Sequence, residues 1–517
     1  MPLVPHRVYL ETVGCQMNVL DSEMIMALLR QQGYERVETP ERADTILFNT
    51  CSVRQHAEEK IYSALGKLRS HKRAHPEKVI GVLGCMAQKD QQRIFARAPF
   101  VDLIVSPGQL QQTAHLIDLA RQVGGRQAAL SRGRHEETRG DAPSGHQTFD
   151  PLRDPEMRPH PFQAYLRIQI GCDKFCSYCV VPQTRGPEQC RPPGELLEEA
   201  RLLADQGCKE LILLGQTVNS YRHTTGGRTT TLADLLYRLH ELDGIRRLKF
   251  VTNYPSDMTD PLLQAVRDLP KCSRYLHVPL QSGSNRILER MRRGYRVEAY
   301  REMMQRIAEF LPDAAVSSDL IVGFCGETEA DFQATAAMVR ACRFKNCFIF
   351  KYSPRAGTAA DNLPDDVPDP VKRERNHRLL ALQTEISTRE NRRFRGRTVE
   401  VLVEGPSKMA AKHNAGGEHI QLTGRTMCDR IVVFPGHRRR IGELLPVVIQ
   451  DATPHTLIGR LPDEPRDHQL VSLADTPVSL ADTPVSLADT PVSLAVIPTF
   501  PACRDGAPVP EPSRETR

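Results

Sequence analysis

Short, almost wholly apolar runs alternate with amphipathic stretches through the first 122 residues. "RVYLETVGC", "DTILFNTC", "VIGVLGC" and "VDLIVSP" read as buried strands. "DSEMIMALLRQQGY" reads as a helix that Asp21 or Ser22 would cap, with Ile25, Leu28 and Leu29 on its apolar face. Buried strands with helices between them predict a parallel-sheet α/β domain over 1–122. From 161 to 388 a strand-then-helix unit recurs six times, with strands "AYLRIQIG", "ELILLGQ", "RLKFVTN", "YLHVPLQ", "AVSSDLIVGF" and "NCFIFKYS". Right-handed βα units repeated this often make a partial (βα)6 barrel whose site lies at the carboxyl ends of its strands. Residues 389–461 change to short alternating strands broken by Gly and Pro: "TVEVLVEG", "HIQLTGRT", "DRIVVFPG", "LLPVVIQDAT" and "TLIGRL". These predict a small antiparallel, OB-like β-barrel. Two stretches lack periodicity. Residues 123–160, rich in Gly, Pro and Arg, read as a linker. Residues 462–517 contain "VSLADTP" three times in tandem from Val471, and a proline in every copy forbids a continuous helix, so this reads as a disordered tail.

Charge adds a direction. The 517-residue chain is mildly basic at +6, and residues 389–460 alone hold 13 Lys and Arg against 7 Asp and Glu. A localised basic excess on a small barrel points to a polyanion, nucleic acid first. Arg389, Arg392, Arg393 and Arg395 are the candidate phosphate contacts, with a solvated helix face as the plain alternative. No apolar run approaches about 18 residues, so no membrane span is expected. "MPLVPHRVYLETVG" lacks the pattern of a signal peptide. The fourteen cysteines are therefore expected in a reducing cytoplasm, where clusters of them mean metal or catalysis.

Their spacing is informative. Cys15, Cys51 and Cys85 each follow a predicted strand, so a parallel sheet would gather them on one edge. Cys172, Cys176 and Cys179, in "GCDKFCSYC", follow the first barrel strand and sit at the barrel mouth, as do "GQTVN", "QSGS" and "GFCGET". Zinc prefers four ligands, and Cys190 could be a fourth only by reaching across a loop containing Pro182 and Pro187. An iron–sulfur cluster is the alternative, since a cubane can leave one iron without a protein ligand.

The cysteine spacing after a first barrel strand resembles the radical S-adenosylmethionine signature. "GCQMNVLDSE", "NTCSVRQHAEEK", "GVLGCMAQ", "GCDKFCSYCVVPQTRG", "LLGQTVNSY", "HVPLQSGSNRILERMRRGY" and "SSDLIVGFCGETEADF" together resemble the methylthiotransferase family, in its MiaB branch, from about residue 6 to 460. The resemblance implies two 4Fe-4S clusters. One would be held by Cys172, Cys176 and Cys179, which carry the catalysis and leave an iron open to S-adenosylmethionine. The other would be held by Cys15, Cys51 and Cys85. It implies a TRAM domain in the carboxyl barrel. The implied reaction uses one S-adenosylmethionine to methylate sulfur and a second to make the radical that takes hydrogen from C2 of N6-dimethylallyladenosine at position 37 of tRNA. Implied partners are the tRNA anticodon loop, an electron donor such as a flavodoxin or ferredoxin, and a sulfur donor; the chain itself is expected to be a monomer. Gln216, Asn219, Ser318 and Asp319 stand where strand ends should meet the cofactor, and each could equally serve as a turn or cap. Tyr178 resembles the aromatic residue common between the last two cysteines. Sister branches act on threonylcarbamoyladenosine of tRNA or on a ribosomal protein aspartate, but "GQTVNSY" matches the MiaB-like form better. Thr217 and Cys325 depart from the usual Asn and Pro. A non-catalytic RNA-binding iron–sulfur protein is the alternative of another class.

Overall fold

The computed structural model describes residues 6–52, 55–131, 153–412 and 417–462. The tail with its tandem repeat, Cys503 and most of the expected linker lie outside the described residues.

Buried parallel strands need apolar side chains on both faces, and the first sheet meets that demand. Its strands are β1 (His6–Val13), β2 (Tyr34–Arg36), β3 (Thr45–Thr50), β4 (Val79–Gly84), β5 (Leu103–Val105) and β6 (Gln127–Ala129), all parallel in the order β2-β1-β3-β4-β5-β6. Leu47, Leu83 and Leu103 pack on one face with Ile25 and Leu29, while Ile46, Phe48, Val82 and Ile104 pack on the other with Ile61 and Leu65. The edge strand β6 falls inside the stretch expected to be linker. Its sequence, "QAA", pairs by backbone alone and leaves no hydrophobic signature. The first helix, α1 (Gln16–Gln31), starts before Asp21 and Ser22, with Cys15 at its N-cap. Those two residues are thus buried inside the helix rather than capping it, which corrects the expectation.

The central domain forms two parallel half-barrels. Strands β7 (Gln163–Arg167), β8 (Glu210–Leu214) and β9 (Arg247–Phe250) make one, in the order β9-β8-β7. Strands β10 (Tyr275–His277), β11 (Ala315–Val322) and β12 (Asn346–Lys351) make the other, and a bridge between Leu248 and Cys272 joins them. Leu166, Leu211, Leu213, Leu320 and Ile349 point outward into the large core beneath the helices. The inward set, Ile212, Leu214, Val251, Tyr275 and Ala315, is completed by other parts of the chain: Met17 and Leu20 of α1, and Cys428. One apolar plug therefore joins all three domains.

The carboxyl domain is a closed antiparallel barrel. Its strands β13 (Thr398–Pro406), β14 (His419–Thr426), β15 (Ile431–His437), β16 (Leu444–Ala452) and β17 (Thr456–Arg460) run in the order β13-β14-β15-β17-β16, with β15 and β17 the parallel pair. Alternation along β14 and β15 turns Ile420, Leu422, Val432 and Phe434 inward. The turn after β14 enters the central barrel. Arg247 Nη1 donates to the Thr426 carbonyl at 2.9 Å, and Ser273 Oγ to the Met427 carbonyl at 2.7 Å. Asp429 meets Lys249, Lys345 and Arg425 there.

Candidate active site

Cys15, Cys51 and Cys85 stand at the carboxyl ends of β1, β3 and β4, which are adjacent strands, so residues far apart in sequence become neighbours. Asn49 fastens the floor beneath them: its amide donates to the Asn18 carbonyl at 2.8 Å and to Ser22 Oγ at 2.9 Å. Cys15 Sγ lies 3.2 Å from Asn18 Oδ1. A hydrogen bond with Cys51, helped by Arg185 and the backbone amides of Asn18 and Met17, pulls the exposed Cys15 thiol down to about 6. Burial pushes Cys85 up, opposed by Arg185.

Cys172, Cys176 and Cys179 occupy the loop beyond β7. Gly171 makes that loop possible. Its φ is +75°, and a Cβ there would collide with the Pro187 carbonyl. The loop is sewn to the barrel by backbone contacts: Cys172 N to the Gly186 carbonyl at 3.2 Å, Ser177 N to the Met291 carbonyl at 2.9 Å and Ala360 N to the Ser177 carbonyl at 2.7 Å. Arg293 Nη1 donates to Cys176 Sγ at 3.1 Å, and its guanidinium lies against the rings of both Tyr254 and Tyr295. Burial, then the neighbouring Cys176, pushes Cys179 up to about 12; burial also raises Cys172. To act together as thiolates, three thiols gathered on one loop would need a positive centre among them, which is what a metal cluster supplies. Cys190 takes no part. It packs toward the barrel core with its thiol facing the Arg222 backbone, so the fourth ligand that zinc would want does not come from there. Gly171→Ala is expected to displace this loop, costing more than about 1 kcal/mol of stability. Unchanged stability in denaturant for that variant would contradict the reading.

The other expected cofactor contacts divide. Asp319 faces the barrel interior, where its Oδ1 lies 3.1 Å from His277 Nε2. Ser318, one residue earlier, shares the outward parity of Val316 and Leu320. It accepts from Leu280 N at 2.8 Å and lies beside Tyr300, so it braces the wall and does not face the cofactor space. Asn219 spends both ends of its amide on the Tyr254 backbone, donating to O at 2.8 Å and accepting from N at 2.7 Å, and so fixes a loop. Gln216 Oε1, Gln169 Oε1 and Asn253 Oδ1 are buried and have no partner among the described residues. Unpaired buried acceptors cost about 1–3 kcal/mol each, and a polar ligand at the mouth would satisfy them. Thr252 and Gln281 hold positive φ angles of 71° and 67° at these strand ends, strained backbone of the kind that gathers at active sites. Tyr178 packs edge-on against Phe324, and Cys325 is buried in the same apolar cluster. Thr217 lies 3.2 Å from Glu188 Oε2, a polar contact that suits the exchange for Asn.

Three connections that spacing does not reveal tie the two cysteine loops together. Arg185, just past Cys179, faces Cys85 and Cys15. Arg355 donates to the Ser52 carbonyl at 2.6 Å and stands within electrostatic reach of both Cys51 and Cys179. The helix Cys85–Asp90 packs on the turn Val181–Thr184. On the small barrel's approach, Arg389, Arg392, Arg393 and Arg395 are all exposed, although Arg389 and Arg393 lie beside Glu390 and Arg395 beside Asp451. Among the described residues, no helix is long and apolar enough to cross a membrane.

Comparison with known proteins agrees with this layout. Residues 7–106 match the uncharacterized protein family UPF0004, residues 166–339 the radical SAM superfamily and residues 392–461 the TRAM domain. A tRNA-2-methylthio-N(6)-dimethylallyladenosine synthase from Rhodopirellula baltica is 60% identical over 455 residues, covering 88% of this chain and 95% of that protein. The protein of the same name from Burkholderia thailandensis is 42% identical, covering 88% of this chain and 97% of that protein. Among solved structures, the radical S-adenosylmethionine methyltransferase TsrM from Kitasatospora setae aligns with a TM-score of 0.48 at 14% identity, over 69% of this chain and 74% of that one. With sequence matches across all three domains, the chain belongs to the tRNA-2-methylthio-N(6)-dimethylallyladenosine synthase family of radical S-adenosylmethionine methylthiotransferases.

Proposed function

We propose that this chain converts N6-dimethylallyladenosine at position 37 of tRNA to its 2-methylthio derivative. In this reading Cys172, Cys176 and Cys179 hold one 4Fe-4S cluster, and Cys15, Cys51 and Cys85 hold a second. The observation that carries it is the pair of thiol trios, each at the carboxyl edge of its own parallel sheet, joined across one interface by Arg185 and Arg355. A single-centre enzyme would need only the barrel trio.

When bound, the clusters and S-adenosylmethionine supply a radical able to take an unactivated hydrogen from adenine C2, and a methylated sulfur to replace it. The protein's own part is to hold and exclude. Gly171 and the contacts from Ser177 fix the three barrel thiols, and Arg293 offsets the charge at Cys176. Gln216 and Asp319 offer the cofactor one unpaired amide oxygen and one interior carboxylate. The plug of Met17, Leu20 and Cys428 seals the inner barrel, so substrate enters from the mouth. The exposed arginines 389, 392, 393 and 395 would meet tRNA phosphates. An external electron donor of the flavodoxin or ferredoxin kind and an external sulfur source complete the scheme, and we place the enzyme in the cytoplasm as a monomer.

Anaerobic reconstitution with iron counting tests the two-cluster reading. The full chain is expected to bind about eight irons. Replacing all three of Cys172, Cys176 and Cys179 by Ala, or all three of Cys15, Cys51 and Cys85, is expected to halve that number. Unchanged iron in either triple variant would defeat the assignment of that trio.

A further inference from the structure

The N-terminal thiols are flanked by buried hydrogen-bond donors: two hydroxyls and one arginine. Thr50 Oγ1, immediately before Cys51, and Ser52 Oγ, immediately after it, are fully buried and have no partner among the described residues. Folded proteins leave few such groups, and two buried hydroxyls that bracket one thiol in sequence are candidates to donate to an acceptor held there. Arg185, whose side chain is only 2% exposed, reaches the same trio and hydrogen-bonds the Cys85 thiol.

Arg185 is not part of the N-terminal sheet. It ends the turn Val181–Thr184 in the loop that carries the barrel thiols, and reaches the other trio because the helix beginning at Cys85 packs on that turn. Its Nη2 donates to Asp21 Oδ2 at 2.8 Å, while Arg167 Nη1 donates to Oδ1 of the same carboxylate at 2.8 Å. Asp21 is fully buried. It therefore anchors one arm of the Arg185 guanidinium and leaves the other arm toward Cys15 and Cys85.

We infer that Arg185, with Thr50 and Ser52, hydrogen-bonds the sulfurs of the group held by Cys15, Cys51 and Cys85 and raises its reduction potential. This rests on the two-cluster reading above. All three residues are donors, and sulfides and thiolates are acceptors. Reduction adds negative charge to a cluster, so donors and a nearby cation favour the reduced form and move the potential up. Carbonyls or carboxylates at these positions would do the reverse. Because Arg185 lies in the loop that binds the other centre, any shift of that loop would also change the setting of this one. These are positioning and tuning residues, not catalytic ones.

The test uses the full-length chain with Cys172, Cys176 and Cys179 all changed to Ala, so that only the N-terminal group is present. It is reconstituted anaerobically, its iron counted, and its potential read by redox titration followed by electron paramagnetic resonance. Arg185→Gln is expected to keep its iron and shift the potential downward. Arg185→Lys, which keeps the charge, should recover much of the shift, and Thr50→Val and Ser52→Ala should each give a smaller downward shift. Arg167→Gln is the control for a purely structural role. It loosens the same carboxylate, but its main charge interactions are with Asp21, Arg185, Arg191 and Glu199. It is expected to lose stability with the potential unchanged. An unaltered potential in Arg185→Gln, Thr50→Val and Ser52→Ala would overturn the inference. If Arg185→Gln fails to fold, the two hydroxyl variants decide it on the same criterion. A parent chain that binds no iron at all would overturn the two-cluster reading together with the inference.

Discussion

Cys176→Ala is expected to abolish release of 5′-deoxyadenosine, whereas Cys51→Ala is expected to preserve that release and stop methylthio transfer. The difference follows from where the two thiols stand. Cys176 is buried in the barrel-mouth loop with the Arg293 guanidinium on its sulfur, and Cys190, the next thiol beyond the trio, is turned toward the core. Its loss should reduce cofactor cleavage to that of iron-free protein. Cys51 belongs to the other sheet and meets the barrel through the Ser52 carbonyl and Arg355. Its removal leaves the loop of Cys172, Cys176 and Cys179 intact. Chromatography of 5′-deoxyadenosine alongside modified nucleoside separates the two outcomes. Cleavage surviving in Cys176→Ala, or lost equally in both variants, would show that the trios do not divide the work this way.

Asp429→Asn is expected to destabilise the protein by about 3–5 kcal/mol, the usual loss when one partner of a buried charge group is removed. The carboxylate is 7% exposed and accepts from Lys249, from Lys345 at 2.9 Å and from Arg425 at 3.2 Å. Even with Asp429 present, burial pulls the Lys345 ammonium down to about 8. Without it, two lysines on the barrel would face a dry interface with no counter-charge. Asn keeps the side-chain shape and tolerates the positive φ of 61° at this turn, so the substitution removes charge and little else. The carboxyl barrel should come away from the central domain first, seen as an early transition in urea. Lys345→Met in the same chain should restore part of the loss, since an apolar side chain needs no partner there. A penalty under about 1 kcal/mol would mean that the interface is wet and the ion cluster screened, as surface pairs are.

Much of this architecture is legible in the chain because buried parallel strands declare themselves as apolar runs. "VIGVLG" and "ELILL" could hardly be anything else. The placing of Cys15, Cys51 and Cys85 after such runs carries their convergence with it, since parallel strands end on one edge. Strand β6 was hidden because an edge strand of Gln and Ala pairs through backbone alone. Asp21 reads as a helix cap by residue type. Its true role, holding Arg167 and Arg185, depends on contacts more than 140 positions away, which no local pattern encodes. Ser318 and Asp319 looked equivalent in "SSDL". Only the packing of Val316 and Leu320 against the helices decides which of the two faces inward. Arg185 was in plain view within "PQTRG", yet its use belongs to the interface between domains.

The most direct test of the proposed activity is mass spectrometry of nucleosides after anaerobic reaction. Reconstituted protein, S-adenosylmethionine, reductant and a sulfide source would be given, separately, tRNA bearing N6-dimethylallyladenosine and tRNA bearing threonylcarbamoyladenosine. The account predicts a methylthio product on the dimethylallyl tRNA alone. Product confined to the threonylcarbamoyl tRNA, or none on either with both clusters intact, would contradict it.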